Sequence, residues 1–493
     1  MNSPELQILS TYIRIERTDS TPIYLQIAQG IINAIHTKAL STGSKLPSSR
    51  MLSTALYVHR NTVVSAFDEL SAQGWVDIIP KKGVFVSAKK LKNTPQTHIH
   101  NIENPINADF TIDRNIILEL PNTTITSEYY FTDGTADNAL LPLKEMNQTL
   151  SSISLKKTTT NTLNRDFFQE NESLKNQLIN YIHVTKSLTL STHQILATNN
   201  NTTAINTIIQ TLLKANDKVI IIEPGNYAVH MKLKHANIDI LPVGVTEDGL
   251  DFNKLHSLFK TYTIRAIYLQ TNHLYPTVKS IDEDTKQQLL LLANQYKCII
   301  IEDDNSSDFV YAKNKLSTLK KMDTHGCVIY LNSFQDLLPT PYNIAYIIAP
   351  DNVISELIKV KNSLQSPSNY LIEKTIVEYI KEGLLLRQIH RNTKTYLKRR
   401  DYFQQLLTQN LEQTVDFETP KSGLAFWITF SSKLPLLSIA KYCQTLNLTI
   451  PNYLLYQNQY ITGMRLGFGH MNEIEAEQAI NILSKAIYQH IYK

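Results

Sequence analysis

The residues of this chain best equipped to meet a polyanion are crowded into its first fifth. Residues 1–96 hold eleven Lys and Arg against six Asp and Glu, whereas the whole chain has 48 against 44, so everything after residue 96 is one charge negative. Inside the basic stretch stand Arg50 behind Ser48 and Ser49, the run Arg60-Asn61-Thr62, and Lys81-Lys82-Gly83. A guanidinium takes two phosphate oxygens at once, and Arg and Asn side chains match the paired polar edges of guanine and adenine. A lysine pair beside a glycine offers charge where the backbone itself can come close. Charge alone would serve solubility equally well, so the elements that carry these residues must decide.

Those elements are legible. Ile23, Ile27, Ile31, Ile32 and Ile35 fall at the three-to-four spacing of an amphipathic helix. Gly43 breaks the chain, and Ser48 and Ser49 can cap a second helix carrying Leu52 and Leu56. A third helix runs from about His59 to Gln73 with Val63, Phe67 and Leu70 inward, and Gly74 stops it. Trp75–Ile79 and Val84–Val86 then flank Pro80-Lys81-Lys82-Gly83 as a short hairpin. Three helices and a hairpin in about 65 residues predict a winged helix-turn-helix, with the third helix for base edges and the hairpin tip for phosphates.

The remainder sets limits. A chain of 493 residues with 42 % hydrophobic and 19 % charged content is a multidomain globular protein. No apolar run approaches a membrane span, and the first sixteen residues lack a signal peptide's apolar stretch. Three scattered cysteines, Cys298, Cys327 and Cys443, make neither a disulfide framework nor a spaced metal site, which fits a cytoplasmic location. Residues 1–86 are expected to form the DNA-binding domain and 87–127 a linker. A large domain over 128–350 and a helix with a small α+β subdomain over 351–493 follow. In the large domain, β-branched runs at 218–222, 266–269, 298–301 and 328–331 have helix-length segments between most of them, the pattern of a mostly parallel sheet covered by helices.

Taken together, Leu46-Pro-Ser-Ser-Arg50, Val58-His-Arg-Asn-Thr-Val63 and Lys82-Gly-Val-Phe-Val86 resemble the GntR-type winged helix-turn-helix. The resemblance implies that Ser48, Ser49, Arg50, Arg60, Asn61, Thr62, Lys81, Lys82 and Gly83 line double-stranded operator DNA. From Phe131 onward the chain resembles fold-type I pyridoxal-phosphate aminotransferases, specifically the MocR subfamily that fuses such a body to a GntR-type head. Phe131-Thr-Asp-Gly134, Glu223-Pro-Gly225, His273-Leu-Tyr-Pro-Thr277, Ile301-Glu-Asp-Asp304 and Arg465-Leu-Gly-Phe468 carry the likeness. Fold-type I bodies pair, so the resemblance also implies a homodimer presenting two heads.

The same resemblance exposes departures. Pyridoxal phosphate needs a lysine amine, a carboxylate for its ring nitrogen and donors around its phosphate. The family lysine aligns with Asp336, and no lysine occurs between Met322 and Asp351. The phosphate-holding arginine aligns with Asn343, and the Gly-containing phosphate turn reads Asn200-Asn-Thr-Thr203. The tyrosine after Glu-Asp-Asp is Asn305, and a loop glycine is Val278. Asp303 is retained as the ring-nitrogen carboxylate, His273 near the ring and Arg465 as the substrate-carboxylate arginine. Outside the family, Asp303 would read as a strand-end residue capping a loop and Arg465 as half of a structural ion pair.

The expectation is therefore a transcription regulator, not an enzyme, with no covalently bound cofactor and a body that dimerises and senses an unknown small-molecule effector. Non-covalent pyridoxal phosphate, in a regulator or a residual aminotransferase, is the alternative; a purely structural body is the third reading. Asp336 is further expected to face the same cavity as Asp303, and if the two carboxylates approach within a few ångströms in a poorly solvated site their repulsion should raise one pKa.

Overall fold

The computed structural model describes residues 4–19, 21–88, 110–112, 118–119, 125–156, 171–246, 249–305, 307–312, 317–364, 369–411, 413–430 and 434–491. The chain divides into two compact units, residues 1–112 and 113–493. Most of the expected linker, 87–127, lies outside the described residues.

In the first unit the expected helices are α2 (Ile23–His36), α3 (Ser49–Leu56) and α4 (Arg60–Ala72), followed by β1 (Val76–Ile79) and β2 (Gly83–Val86). One stripe of α2, Ile27, Ile31 and Ile35, is buried together with Val63, Phe67 and Leu70 of α4. Each such side chain contributes about 1.5–3 kcal/mol relative to exposure, so six of them outweigh the weak intrinsic helicity of three short segments. An additional helix, α1 (Pro4–Tyr12), which the sequence reading did not anticipate, adds Leu9 to this core. At nine residues it is too short to be stable as a helix by itself, and α2 supplies the surface against which it packs.

In the second unit the first β-branched run forms β5 (Lys218–Glu223), parallel to β6 (Asp239–Thr246) on one side and to β8 (Ile264–Leu269) on the other. Next to β8 lie β9 (Ile299–Asp303) and β10 (Val328–Ser333), also parallel. β11 (Ala345–Ile348) runs antiparallel to both β10 and β4 (Ile195–Thr198), and β7 (Gly249–Leu250) completes the other edge. The expected mostly parallel sheet is therefore present, with apolar clusters on both of its faces. Because β4, β5, β8, β9 and β10 share one direction, their carboxyl ends open at one edge, where parallel α/β sheets place their sites.

A third cluster joins Phe131, Met146 and Tyr330 to Phe403, Phe426 and Phe468, so the stretches 128–350 and 351–493 share a core. Its second sheet runs β12 (Val415–Phe417), β13 (Ala425–Phe430), β16 (Thr462–Gly467), β15 (Leu455–Gln457). The opening strand β3 (Tyr129–Tyr130) pairs with β14 (Leu448–Thr449) near the other end of the chain.

Candidate functional site

In the head, Ser48 and Ser49 do different work. Ser48 caps α3, its hydroxyl accepting from Met51 N at 3.3 Å. Ser49 lies inside the first turn and its Oγ accepts from Arg60 Nε at 3.2 Å, tying α3 to the start of α4. Arg60 is thus partly oriented before any ligand arrives. The cap of α4 is His59, whose Nδ1 accepts from Asn61 N at 3.3 Å. Arg50, Arg60 and Asn61 are exposed and Thr62 is half-buried. All four sit in first turns, whose free N–H groups favour anions.

The hairpin pairs Val76 with Val86 and Ile79 with Gly83. Its tip leaves Lys81 and Lys82 exposed, Lys81 in the left-handed region at φ 61°. Gly83 has a reason beyond the turn: at φ 123° a Cβ would meet Lys45 Cε at 2.9 Å. Lys45, bridged to Phe85 with its ammonium 5.9 Å from that ring, puts a third cation on the wing. Nothing in the local pattern marked it; only the fold of the hairpin onto the segment before α3 brings it there.

In the body, the carboxyl edge of the sheet collects the residues that the resemblance picked out. Asp303 ends β9, fully buried. One of its oxygens accepts from the Tyr268 hydroxyl of β8, and the other from Asn305 N at 3.1 Å and Asn305 Nδ2 at 2.5 Å. Ser333, the last residue of β10, donates to Asn305 Oδ1 at 2.6 Å. Burial pushes the Asp303 carboxyl up, with Asp304 as the neighbouring like charge, against the hydrogen bonds that pull it down. Asp336 is also buried, but its charge is felt at Tyr396, whose hydroxyl takes the Asp137 N–H at 3.1 Å. Among the carboxylates acting on Asp303 is Asp304, next to it in the chain.

Asn200 caps the helix Asn201–Leu212, its Oδ1 accepting from Thr203 N at 2.9 Å and Thr203 Oγ1 at 3.1 Å. Arg465, in β16 and 2 % exposed, uses all three nitrogens: Nε to Asp133 O at 2.7 Å, Nη1 to Pro276 O at 2.8 Å and Nη2 to His273 Nε2 at 3.0 Å. Its guanidinium also lies 4.6 Å from the centre of the Tyr275 ring. Burial and the Arg465 charge hold the His273 pKa well below its usual value, so the ring is neutral and Nε2 accepts. The buried arginine is thus held by carbonyls, a ring nitrogen and a π face rather than by an acid. Asn343 is half-buried with its Oδ1 unpartnered. Val278, at the family's glycine position, takes that glycine's kind of conformation at φ 57°.

Two groups escaped the sequence reading. Tyr268 was taken only as a strand residue. Lys232, on the helix Tyr227–His235, has its pKa lowered by burial, opposed by the nearby Asp303 charge. No spacing rule links residue 232 or 268 to 303; adjacency at the strand ends does.

The gntR family of bacterial regulatory proteins matches residues 23–86, and aminotransferase class I and II matches residues 131–483. This chain belongs to the class I and II aminotransferase family and carries a gntR-family head, a combination consistent with the MocR-type regulators. It is 24 % identical over 415 residues, 83 % of this chain and 87 % of the relative, to the uncharacterized HTH-type transcriptional regulator YdcR of Escherichia coli. It is 20 % identical to the probable rhizopine catabolism regulatory protein MocR of Rhizobium meliloti, covering 96 % of this chain and 95 % of that one. The kynurenine aminotransferase of Pyrococcus horikoshii superposes with a TM-score of 0.67 at 20 % identity, over 74 % of this chain and 92 % of the other. That likeness is one of fold.

At the strand ends of the body, groups that the resemblance would give to pyridoxal phosphate are engaged by the chain itself. The carboxylate for the ring nitrogen takes a phenol and an amide of its own chain. The helix end for the phosphate is capped by its own Asn200.

Proposed function

We propose that this chain is a DNA-binding transcription regulator whose aminotransferase-like body pairs two copies and answers to a small-molecule effector, without pyridoxal catalysis. The observation that carries the first part is the exposed start of α4, where Arg60 is braced by Ser49 and Asn61 stands beside it. Side chains that pack nothing and are nonetheless held in place suit a ligand outside the protein, and Lys81 and Lys82 extend the same basic surface. No described helix is long and apolar enough to cross a membrane, and we place the regulator in the cytoplasm with its operator. Pairing through the body would set two heads at two half-sites.

The reading without a cofactor rests on Asp336, Asn343 and the internal partners of Asp303 and of the Asn200 turn. Purified protein should lack the visible absorbance of a lysine aldimine, and borohydride in the presence of pyridoxal phosphate should trap no adduct in the body. An adduct on Lys232, the amine that senses Asp303, would sink this part and favour a cofactor-binding regulator. Asp336→Lys alone should not give transamination, because Asn200, Asn305 and Asn343 would still leave ring and phosphate unheld. For the head, full-length protein should bind duplex DNA with an affinity that falls linearly in log–log terms with salt. Binding indifferent to salt would reject the DNA-binding reading.

A further inference from the structure

Among the described residues of α4, one exposed side chain is out of place. Val63, Ala66, Phe67 and Leu70 point into the core, and the outer face is polar except for the terminal Ala72 and for Val64, a β-branched side chain 38 % exposed. At 100° per residue, Val64 projects about 40° round the helix from Arg60 and about 60° from Asn61. It lies between the two residues assigned to base edges, one turn deeper along the helix. Packing does not require an alkyl group there, since the core stripe is complete without it.

The chemistry of the groove narrows what such a residue meets. The major-groove edges of the four bases offer hydrogen-bonding groups, the small C5–H of cytosine and a single alkyl group, the C5 methyl of thymine. A β-branched side chain suits that partner because its χ1 is nearly fixed by the helix, so little rotamer freedom is lost on contact. We infer that Val64 is a specificity residue that packs against a thymine methyl, so the operator carries a thymine one turn along from the bases read by Arg60 and Asn61. This rests on the DNA-binding reading above and adds to it the identity of one base.

The test uses full-length protein and a duplex selected by it from a random pool. Each thymine of the selected site is replaced in turn by uracil, which removes the methyl and nothing else. Losing about one buried methyl group should weaken wild-type binding about fourfold at one position per half-site. With Val64→Ala the same replacement should change nothing, while Val64→Thr, which keeps one methyl, should retain part of the effect. The side chain is exposed and alanine is the better helix former, so the variant is expected to fold. Wild-type binding indifferent to every thymine-to-uracil exchange, or an undiminished exchange effect in Val64→Ala, would overturn the assignment and leave the DNA-binding reading standing. Failure to select any duplex would remove both.

Discussion

The head and the body bury different things. Among the described residues of the head, the buried polar side chains are two serines, Ser53 and Ser87. The body buries Lys286, Glu302, Asp303, Asp304, Asp336, Lys361 and Arg465. In the head, every candidate contact residue except Thr62, Ser49 and Gly83 is exposed, and the core holds together without them. In the body, Asp303 and Arg465, the residues an enzyme would spend on cofactor and substrate, are engaged with the chain itself. Polar side chains that the fold does not need are free to act on something else, and those that it needs are not. The surface of the head is therefore the better candidate for function than the inherited site of the body.

The harshest way to break that contrast is to remove a buried charge. Lys186 donates to Asp304 Oδ2 at 2.5 Å and to Ser307 Oγ at 3.1 Å, with both partners of the pair almost wholly buried. Lys186→Met leaves Asp304 charged and uncompensated, which should cost the body about 3–5 kcal/mol in denaturant unfolding. Binding of DNA by the head should be unchanged under conditions where the body remains folded. A loss below about 1 kcal/mol, the range of surface pairs, would mean that the buried charges of the body are slack.

The next effect is one of pH. Burial, reinforced by Asp304, pushes the Glu302 carboxyl up to about 7, although Thr271 Oγ1, Leu319 N and Lys320 N all donate to it. Burial likewise pushes Asp308 up to about 6. A carboxyl whose folded pKa exceeds its unfolded value favours the fold while protonated. Glu302 should therefore withdraw stability from the body as pH rises from about 4 through 7, by on the order of 3 kcal/mol. Glu302→Gln should flatten much of that slope in melts at pH 5 and pH 8, leaving the share of Asp308. The described part of the head buries no acid, so its transition should carry no such slope. Buried neutral His273 contributes the opposite slope below its usual pKa, so the deciding quantity is the difference between wild type and Glu302→Gln, and a pH slope unchanged by that substitution would refute the assignment.

What the sequence disclosed follows the same division. Helices α2 to α4 and the hairpin were legible because each has its own apolar period and its own stop at Gly43, Gly74 or Gly83. The parallel strands were legible as β-branched runs, yet not their order, which depends on contacts between residues far apart in the chain. At the strand ends the resemblance could be followed residue by residue, Asp336 and Asn343 included. Tyr268 and Lys232 were not, because the role of each comes from a neighbour contributed by another strand or helix. Asp303, expected as a ring-nitrogen carboxylate, also makes with Asn305 the kind of bonds that the loop-capping alternative describes.

The contact surface of the head separates by kind of contact. Arg60→Ala should weaken binding to the selected operator by roughly 1–3 kcal/mol, more than binding to random duplex. Lys82→Ala should weaken all sequences alike and flatten the salt dependence by about one phosphate. Equal losses on operator and random DNA for Arg60→Ala, measured at one salt concentration, would take the base-reading role away from it.

The smallest effect compares one backbone conformation in the two regions. Tyr57 ends α3 at φ 54° and ψ 42°, 85 % exposed, with its carbonyl accepting from Arg17 Nη2 at 3.1 Å. Val278 takes φ 57° in the body and is 5 % exposed. A left-handed conformation costs an ordinary residue about 1–2 kcal/mol, and glycine escapes that at an entropic cost of about 0.5–1 kcal/mol. Tyr57→Gly gives up no buried surface, so the head should gain up to about 1 kcal/mol. Val278→Gly relieves the same strain but forfeits a buried side chain worth about 1.5–3 kcal/mol, so the body should lose about 1 kcal/mol. Chemical denaturation of the two variants should thus shift in opposite directions, although both place glycine where the backbone favours it. A gain in both would show that Val278 packs less than its burial implies, and a loss in both that Tyr57 makes a contact its exposure conceals.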